Sequence, residues 1–88
     1  MNTDTIIKHL VSLIKNYYPE NDSNLSLETK KLLIERYEKN IDATEVTTEI
    51  LEMWIDDDFH DYDSRNFNNL AFDIQCLLQV NGFRSAGY

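Results

Sequence analysis

Apolar residues recur three and four positions apart along most of this 88-residue chain, and little interrupts that spacing. Only two glycines and one proline are present. No alternation of apolar and polar residues lasts long enough to predict a β-strand. A chain of this length forms one small domain. The sequence therefore predicts an all-α fold, a compact four-helix bundle with short loops that spans residues 1–88 as a single helical domain.

Two helices are predicted in the first half of the chain. The first runs from about Asp4 to Tyr17, with Thr3 as its N-cap, and Pro19 ends it. The side chains expected to face inward from it are Ile6, Ile7, Leu10, Val11, Ile14, Tyr17 and Tyr18. The second runs from about Leu27 to Lys39, with Ser26 as its N-cap. The side chains expected to face inward from it are Leu27, Leu33, Ile34 and Tyr37.

The third helix has the clearest start signal. Asp42 and Glu45 are spaced as the N-cap and N3 residues of a capping box, and the helix should continue to about Ile55. The side chains predicted to lie on its inner half are Ala43, Val46, Ile50, Met53 and Trp54.

The fourth helix is predicted from about Arg65 to Val80. Its apolar residues cover more than half of its circumference, which favours a central place in the bundle. Gly82 suits the left-handed position that ends a Schellman motif, with Phe83 packing back onto Leu78. The remaining residues, 84–88, are expected to form a mobile tail.

Negative charge is concentrated in one quarter of the chain, from Asp42 to Asp63, which we call the acidic stretch. It contains no Lys or Arg, whereas the other residues carry seven acidic and eight basic side chains. Its nine carboxylates are Asp42, Glu45, Glu49, Glu52, Asp56, Asp57, Asp58, Asp61 and Asp63. The acidic stretch therefore accounts for the net charge of −8. Such a balance argues against direct binding of nucleic acid or an anionic membrane and favours a basic partner.

No pattern of catalytic or cofactor-binding residues is visible, so we expect no enzyme activity and no cofactor. His9 and His60 lack the neighbours that a Ser-His-Asp triad needs. An EF-hand counted from Asp56 would need Gly and Glu where Asp61 and Phe67 stand, so no specific metal site is predicted. The Asp-Ser-Leu motif that carries phosphopantetheine in acyl carrier proteins is also disrupted, since Asn24 separates Ser23 from Leu25.

We expect a cytoplasmic protein. The single cysteine, Cys76, lies among apolar residues, which favours a buried thiol in a reducing compartment. The N-terminal residues lack the basic start and the small-residue cleavage site of a signal peptide. No apolar run approaches the roughly 20 residues that a membrane-spanning helix requires.

The acidic stretch divides into two parts. On an ideal helix, Glu45, Glu49, Glu52 and Asp56 fall within a strip about 60° wide on the side opposite the core. Residues 56–63 then mix acids with two aromatic side chains, which could anchor an interface inside a charged rim. The predicted partner-binding residues are Glu45, Glu49, Glu52, Asp56, Asp57, Asp58, Phe59, Asp61, Tyr62 and Asp63. The simplest alternative is a solvated face that maintains solubility.

A small acidic helical protein with these carboxylates and aromatics resembles the bacterial immunity proteins that neutralise nuclease toxins of colicins or of contact-dependent growth-inhibition systems. The likeness is carried by Glu45, Glu49, Glu52 and residues 56–63. It implies a one-to-one complex with a basic toxin nuclease domain, whose active site or an adjacent exosite would be blocked. Two alternatives remain open: a phage-encoded inhibitor or nucleic-acid mimic, similar to anti-CRISPR proteins, and a small helical adaptor subunit that binds through an exposed apolar patch.

Overall fold

A computed structural model describes residues 1–55 and 65–85 of the chain. These residues form four α-helices and no strand, which confirms the predicted all-α class. The helices are α1 (Thr3–Tyr17), α2 (Ser26–Glu38), α3 (Ala43–Trp54) and α4 (Arg65–Val80). The predicted bounds of α4 are correct, and those of the other three helices are correct to within one residue.

The helices form a ring in which each packs against two others. α1 contacts α2 and α4, and α3 contacts α4 and α2, whereas the diagonal pairs do not approach closely among the described residues. The central position predicted for α4 is therefore wrong. Its outer side faces solvent, where Phe72 is 65% exposed and Val80 is 82% exposed. Cys76 lies on that side and is exposed, so the predicted buried thiol is also wrong.

The core lies where the inward faces of the four helices meet. Its largest fully buried side chains are Ile6, Leu10, Ile14, Leu33, Val46, Ile50, Ile55, Leu70, Ile74 and Leu78. The predicted inner face of α1 is confirmed at its three buried positions, and Trp54 of α3 is buried as predicted. Burial of each such Leu or Ile side chain stabilises the fold by roughly 1.5–3 kcal/mol relative to exposure.

The inner face of α2 differs from the prediction. Leu27, Ile34 and Tyr37 were expected inside but are 61%, 40% and 43% exposed. Thr29 and Leu33 are the buried residues of this helix. Burial of Thr29 is tolerated because its hydroxyl is fully bonded: Oγ1 donates to the Leu25 carbonyl at 2.6 Å and accepts from Trp54 Nε1 at 2.8 Å.

Two of the three predicted N-caps are replaced by neighbouring residues. The side chain of Asn2, rather than Thr3, caps α1 by accepting from the Thr5 N–H at 3.1 Å. Leu25 occupies the N-cap position of α2 without a side-chain hydrogen bond, so Ser26 lies inside the helix. The cap of α3 is confirmed, since Asp42 Oδ1 accepts from the Glu45 N–H at 2.9 Å.

Two Schellman turns meet at one end of the bundle. After α4, Gly82 has φ 105°, and the Phe83 N–H donates to the Leu78 carbonyl, as predicted. After α2, Asn40 takes the left-handed position with φ 58°. Phe83 is buried, and its ring packs edge-on against Tyr37 at 5.4 Å between centroids.

Arg84, two residues after Gly82, is hydrogen-bonded to Asn40 and to the first residue of α3. The carbonyl of Arg84 accepts from the Ala43 N–H at 2.8 Å, and Arg84 Nε donates to the Asn40 carbonyl at 3.2 Å. The mobile tail expected at residues 84–88 stays a prediction, and residues 86–88 lie outside the described part of the chain.

Candidate functional site

The three described acids of the predicted site lie on a firmly held helix. The Asp42 cap fixes the start of α3, and its end is tied down because Asn21 Nδ2 donates to the Trp54 carbonyl at 2.8 Å. Half of the α3 residues are buried: Ala43, Val46, Thr47, Ile50, Leu51 and Trp54. Side chains on its outer side therefore project from a fixed backbone. Seven predicted site residues lie outside the described residues: Asp56, Asp57, Asp58, Phe59, Asp61, Tyr62 and Asp63.

Glu49 does not belong to an exposed acidic strip. It is half-buried and accepts two hydrogen bonds from Arg36 of α2, from Nε to Oε2 at 2.8 Å and from Nη2 to Oε1 at 3.0 Å. This bidentate geometry is the strongest form of an arginine–carboxylate pair. The hydrogen bond with Glu49 is the main cause of the raised pKa of Arg36, although partial burial opposes it. The sequence could not show this pair, because its partners lie on different helices.

Arg36 also belongs to a chain of charges along α2. Its guanidinium contacts the carboxylate of Glu35, and Lys39 Nζ donates to the same carboxylate at 3.1 Å. The hydrogen bond from Lys39, followed by the positive charges of Lys39 and Arg36, lowers the pKa of Glu35. Arg36, in the last turn of α2, and Lys39, its C-cap, are therefore both paired with acidic side chains within the fold.

Glu45 and Glu52 have a different environment. Both are exposed, and no Lys, Arg or His within residues 1–55 and 65–85 lies within ion-pair distance of either. Helix geometry explains the separation. At about 100° per residue, Glu45 and Glu52 project within roughly 20° of each other, whereas Glu49 is rotated about 40–60° away. The rotation brings Glu49 to Arg36, whereas Glu45 and Glu52 on the outer side of α3 have no basic partner in the part of the chain that the structure describes.

A groove of about 670 Å³ runs between α3 and α4 beside these carboxylates. From α3 it is lined by Thr44, Thr47, Thr48, Leu51 and Glu52, and from α4 by Phe67, Ala71 and Gln75. We call it the α3–α4 groove. Leu51, Phe67 and Ala71 give it an apolar surface, and among the described residues Glu52 is the one ionisable residue of the lining. Sequence reasoning missed this groove, because its walls come from two helices whose pairing no local pattern reveals.

Thr47 is an unusual residue in this lining. It is only 3% exposed, and its Oγ1 atom has no hydrogen-bond partner within the described part of the chain. A buried hydroxyl without a partner costs about 1–3 kcal/mol. The neighbouring Thr48, in contrast, donates to the Thr44 carbonyl at 3.2 Å, which is the usual arrangement for a threonine inside a helix.

The described residues offer little for other kinds of site. Within residues 1–55 and 65–85, no group of three or more His, Cys, Asp or Glu side chains is arranged to hold a metal ion. His9 is exposed on α1, and His60 lies outside the described residues. Among the helices described, none is long and apolar enough to cross a membrane.

Comparisons of the chain with protein-family models, with curated proteins and with solved structures gave no significant match. The features of the described residues that bear on function are therefore the exposed carboxylates of Glu45 and Glu52 on α3 and the α3–α4 groove.

Proposed function

We propose that this chain binds and neutralises a basic partner protein through the outer side of α3, in the manner of an immunity protein that blocks a cognate nuclease toxin. The observation that carries the proposal is the pair Glu45 and Glu52. Both are exposed, both lack a basic neighbour among the described residues, and both project from a helix whose other side is core.

The two exposed carboxylates would act on a basic partner through electrostatic attraction. Carboxylates fixed on one side of a helix attract a basic surface and raise the rate of association, while their stabilising effect on the isolated chain is small. The basic side chains that could offset them are placed elsewhere, as Arg36 and Lys39 on α2 show. A face that served only solubility would not need its acids grouped in this way, because scattered charges achieve the same result.

A second candidate function, the helical adaptor, is favoured by a separate observation. Leu27, Ile34 and Tyr37 are exposed on α2, and Leu27 and Ile34 project in nearly the same direction, since seven residues are close to two helical turns. An adaptor would dock through this apolar surface rather than through the carboxylates of α3.

The two functions predict different effects of mutation. The test is affinity capture from the native host with three tagged forms of the chain. These are the wild type, a Glu45→Lys/Glu52→Lys variant, and a control with the same change in charge, Glu20→Lys/Glu38→Lys, at two exposed positions away from α3. Captured proteins are identified by mass spectrometry, and their nuclease activity is measured with and without the chain.

The proposal predicts a basic protein that the wild type and the control both capture, that the α3 variant fails to capture, and whose nuclease activity the wild type suppresses. A partner retained by both lysine variants but lost on Leu27→Ser/Ile34→Ser would support the adaptor instead. A captured nucleic-acid-binding protein of the host that lacks toxin activity would favour the phage-encoded inhibitor.

A further inference from the structure

The α3–α4 groove combines three features that a surface furrow between helices does not ordinarily share. It has an apolar lining, a buried hydroxyl without a partner, and one carboxylate at its rim. About 670 Å³ falls within the range of roughly 300–1,000 Å³ that ligand sites in proteins occupy. We propose that this groove is the anchor site for the basic partner and receives an apolar side chain that lies next to a Lys or Arg in the partner's chain. The inference rests on the proposed function and names the contact that gives it affinity.

Thr47 points to an occupant rather than to an empty furrow. Its hydroxyl costs stability in the free protein, and Val would fill the same space without that cost. A polar group of a bound segment that reaches Thr47 would supply the missing hydrogen bond. Gln75, on the opposite wall, offers a side-chain amide as a second polar group for the same purpose. Polar atoms beside an apolar lining are how a protein pocket fixes the orientation of what it binds.

Charge identifies the class of occupant. Within residues 1–55 and 65–85, Glu52 is the one ionisable residue of the lining, and no basic side chain there lies within ion-pair distance of it. Glu45 projects in nearly the same direction two turns earlier on α3. A base adjacent to the inserted apolar side chain would therefore meet a free carboxylate, whereas an acidic segment would be repelled. An apolar anchor that fills a pocket within a charged rim is the usual structure of an interface hot spot.

In this proposal the anchoring side chain belongs to the partner. Phe59 and Tyr62, the anchors predicted from the sequence of this chain, lie outside the described residues. The described helices provide a receiving surface instead, in which the partner's side chain enters between Leu51 and Ala71.

Phage-displayed random peptides of about twelve residues test this inference without the natural partner. Peptides are selected on the immobilised wild-type chain, synthesised with a fluorescent label, and measured by fluorescence polarisation. We expect enriched peptides that place an aromatic or aliphatic residue beside Lys or Arg. Their affinity should fall at least about tenfold on Ala71→Trp, which fills the groove, and should be unchanged on Val80→Trp, which adds the same side chain on the exposed outer side of α4.

Two smaller changes separate the parts of the site. Glu52→Gln should weaken binding most at low salt, since it removes the charge and keeps the size of the side chain. Thr47→Val should weaken binding about 3- to 10-fold and also raise the Tm of the free protein by a few degrees. A residue with only a structural role would not produce that opposite pair of effects.

The inference is overturned if no peptide is enriched, if the enriched peptides lack a base, or if Ala71→Trp leaves their affinity unchanged. Circular dichroism establishes that each variant is folded, and Thr48→Trp, at an exposed position on the α3 wall, replaces Ala71→Trp if that variant fails to fold. Failure of the proposed function would show differently. In that case the native partner would be captured equally by the wild type and by Glu45→Lys/Glu52→Lys, whatever the peptides do.

Discussion

One side of α3 faces α2 and the other faces α4, and the two sides differ in how they contact the neighbouring helix. On the α2 side there is little packing, and the helices are joined by the bidentate pair between Arg36 and Glu49. On the α4 side the packing is extensive, yet no side-chain hydrogen bond or ion pair joins the helices among the described residues. Instead, the α4 side carries a groove, the buried Thr47 hydroxyl and the Glu52 carboxylate, neither of which has a partner within residues 1–55 and 65–85.

This difference supports the proposal that the α4 side of α3, rather than its α2 side, is the binding surface. Where apolar packing already holds two helices together, as for α3 and α4, the polar residues at the surface of the contact are not needed for stability and can bind a partner. Where packing is sparse, a carboxylate from the same helix is used to hold the fold. Glu49 and Glu52 therefore have different environments, although the sequence places them three residues apart.

The largest expected effect is on the stability of the fold and comes from Trp54, at the end of α3. Trp54→Ala should destabilise the protein by about 3–5 kcal/mol, because Trp54 is 3% exposed at the end of α3 and its ring leaves a cavity. Urea denaturation followed by circular dichroism measures the change. Trp54→Phe, which keeps most of the volume but loses the bond to Thr29, should cost less than half as much. Equal losses in both variants would contradict a role for packing.

The second prediction compares the two flanks directly. Glu49→Lys should lower the Tm by roughly 5 °C, since it removes the pair with Arg36 and sets two positive charges against each other. Glu52→Lys, which makes the same change in charge on the α4 side, should leave the Tm within about 2 °C or raise it, because the net charge of −8 is reduced. Thermal denaturation at low salt measures both, and similar shifts in the two variants would show that the flanks do not differ.

The smallest expected effect lies on the opposite side of α4, which is tied to α1. Tyr17 donates a hydrogen bond to Asp73 Oδ2 at 2.6 Å, and this bond, followed by burial and by the negative charge of Asp73, raises the pKa of Tyr17 above 10.0. The protonated phenol is therefore favoured in the folded state. Its contribution is fully present below pH 10 and is lost as the pH rises through the raised pKa.

The Tyr17→Phe variant makes that loss measurable. Its Tm should be slightly lower than that of the wild type at neutral pH, and the difference should shrink as the pH rises above 10 and through the raised pKa of Tyr17. A Tm difference that stays constant across this range would show that the hydrogen bond to Asp73 does not stabilise the fold.

Much of the fold could be predicted because its signals are local. The Asp42 cap, the inner stripe of α1 and the Gly82 turn each depend on residues within a few positions of one another. The inner face of α2 could not be predicted from apolar spacing, because a threonine occupies its buried position. Thr29 is acceptable there only because Leu25 and Trp54 satisfy its hydroxyl, and Trp54 lies on another helix.

The candidate site was predictable only in part. Composition and helical period correctly indicated exposed acids at Glu45 and Glu52. They could not show that Glu49 is paired, since Arg36 lies 13 positions away on α2. Nor could they show the α3–α4 groove, which exists only once α3 and α4 are packed together. The helical period describes the faces of a single helix, whereas the Arg36–Glu49 ion pair and the α3–α4 groove are each formed by two helices.

The rate of association with the captured partner tests the central claim most directly. Surface plasmon resonance at about 50 mM and about 300 mM salt would compare the wild type, Glu45→Lys/Glu52→Lys and the control Glu20→Lys/Glu38→Lys. We expect the α3 variant to associate at least about tenfold more slowly at low salt, and the wild type to slow markedly as salt is raised. Equal association rates for the two lysine variants, or a wild-type rate that does not change with salt, would contradict a binding role for the outer side of α3.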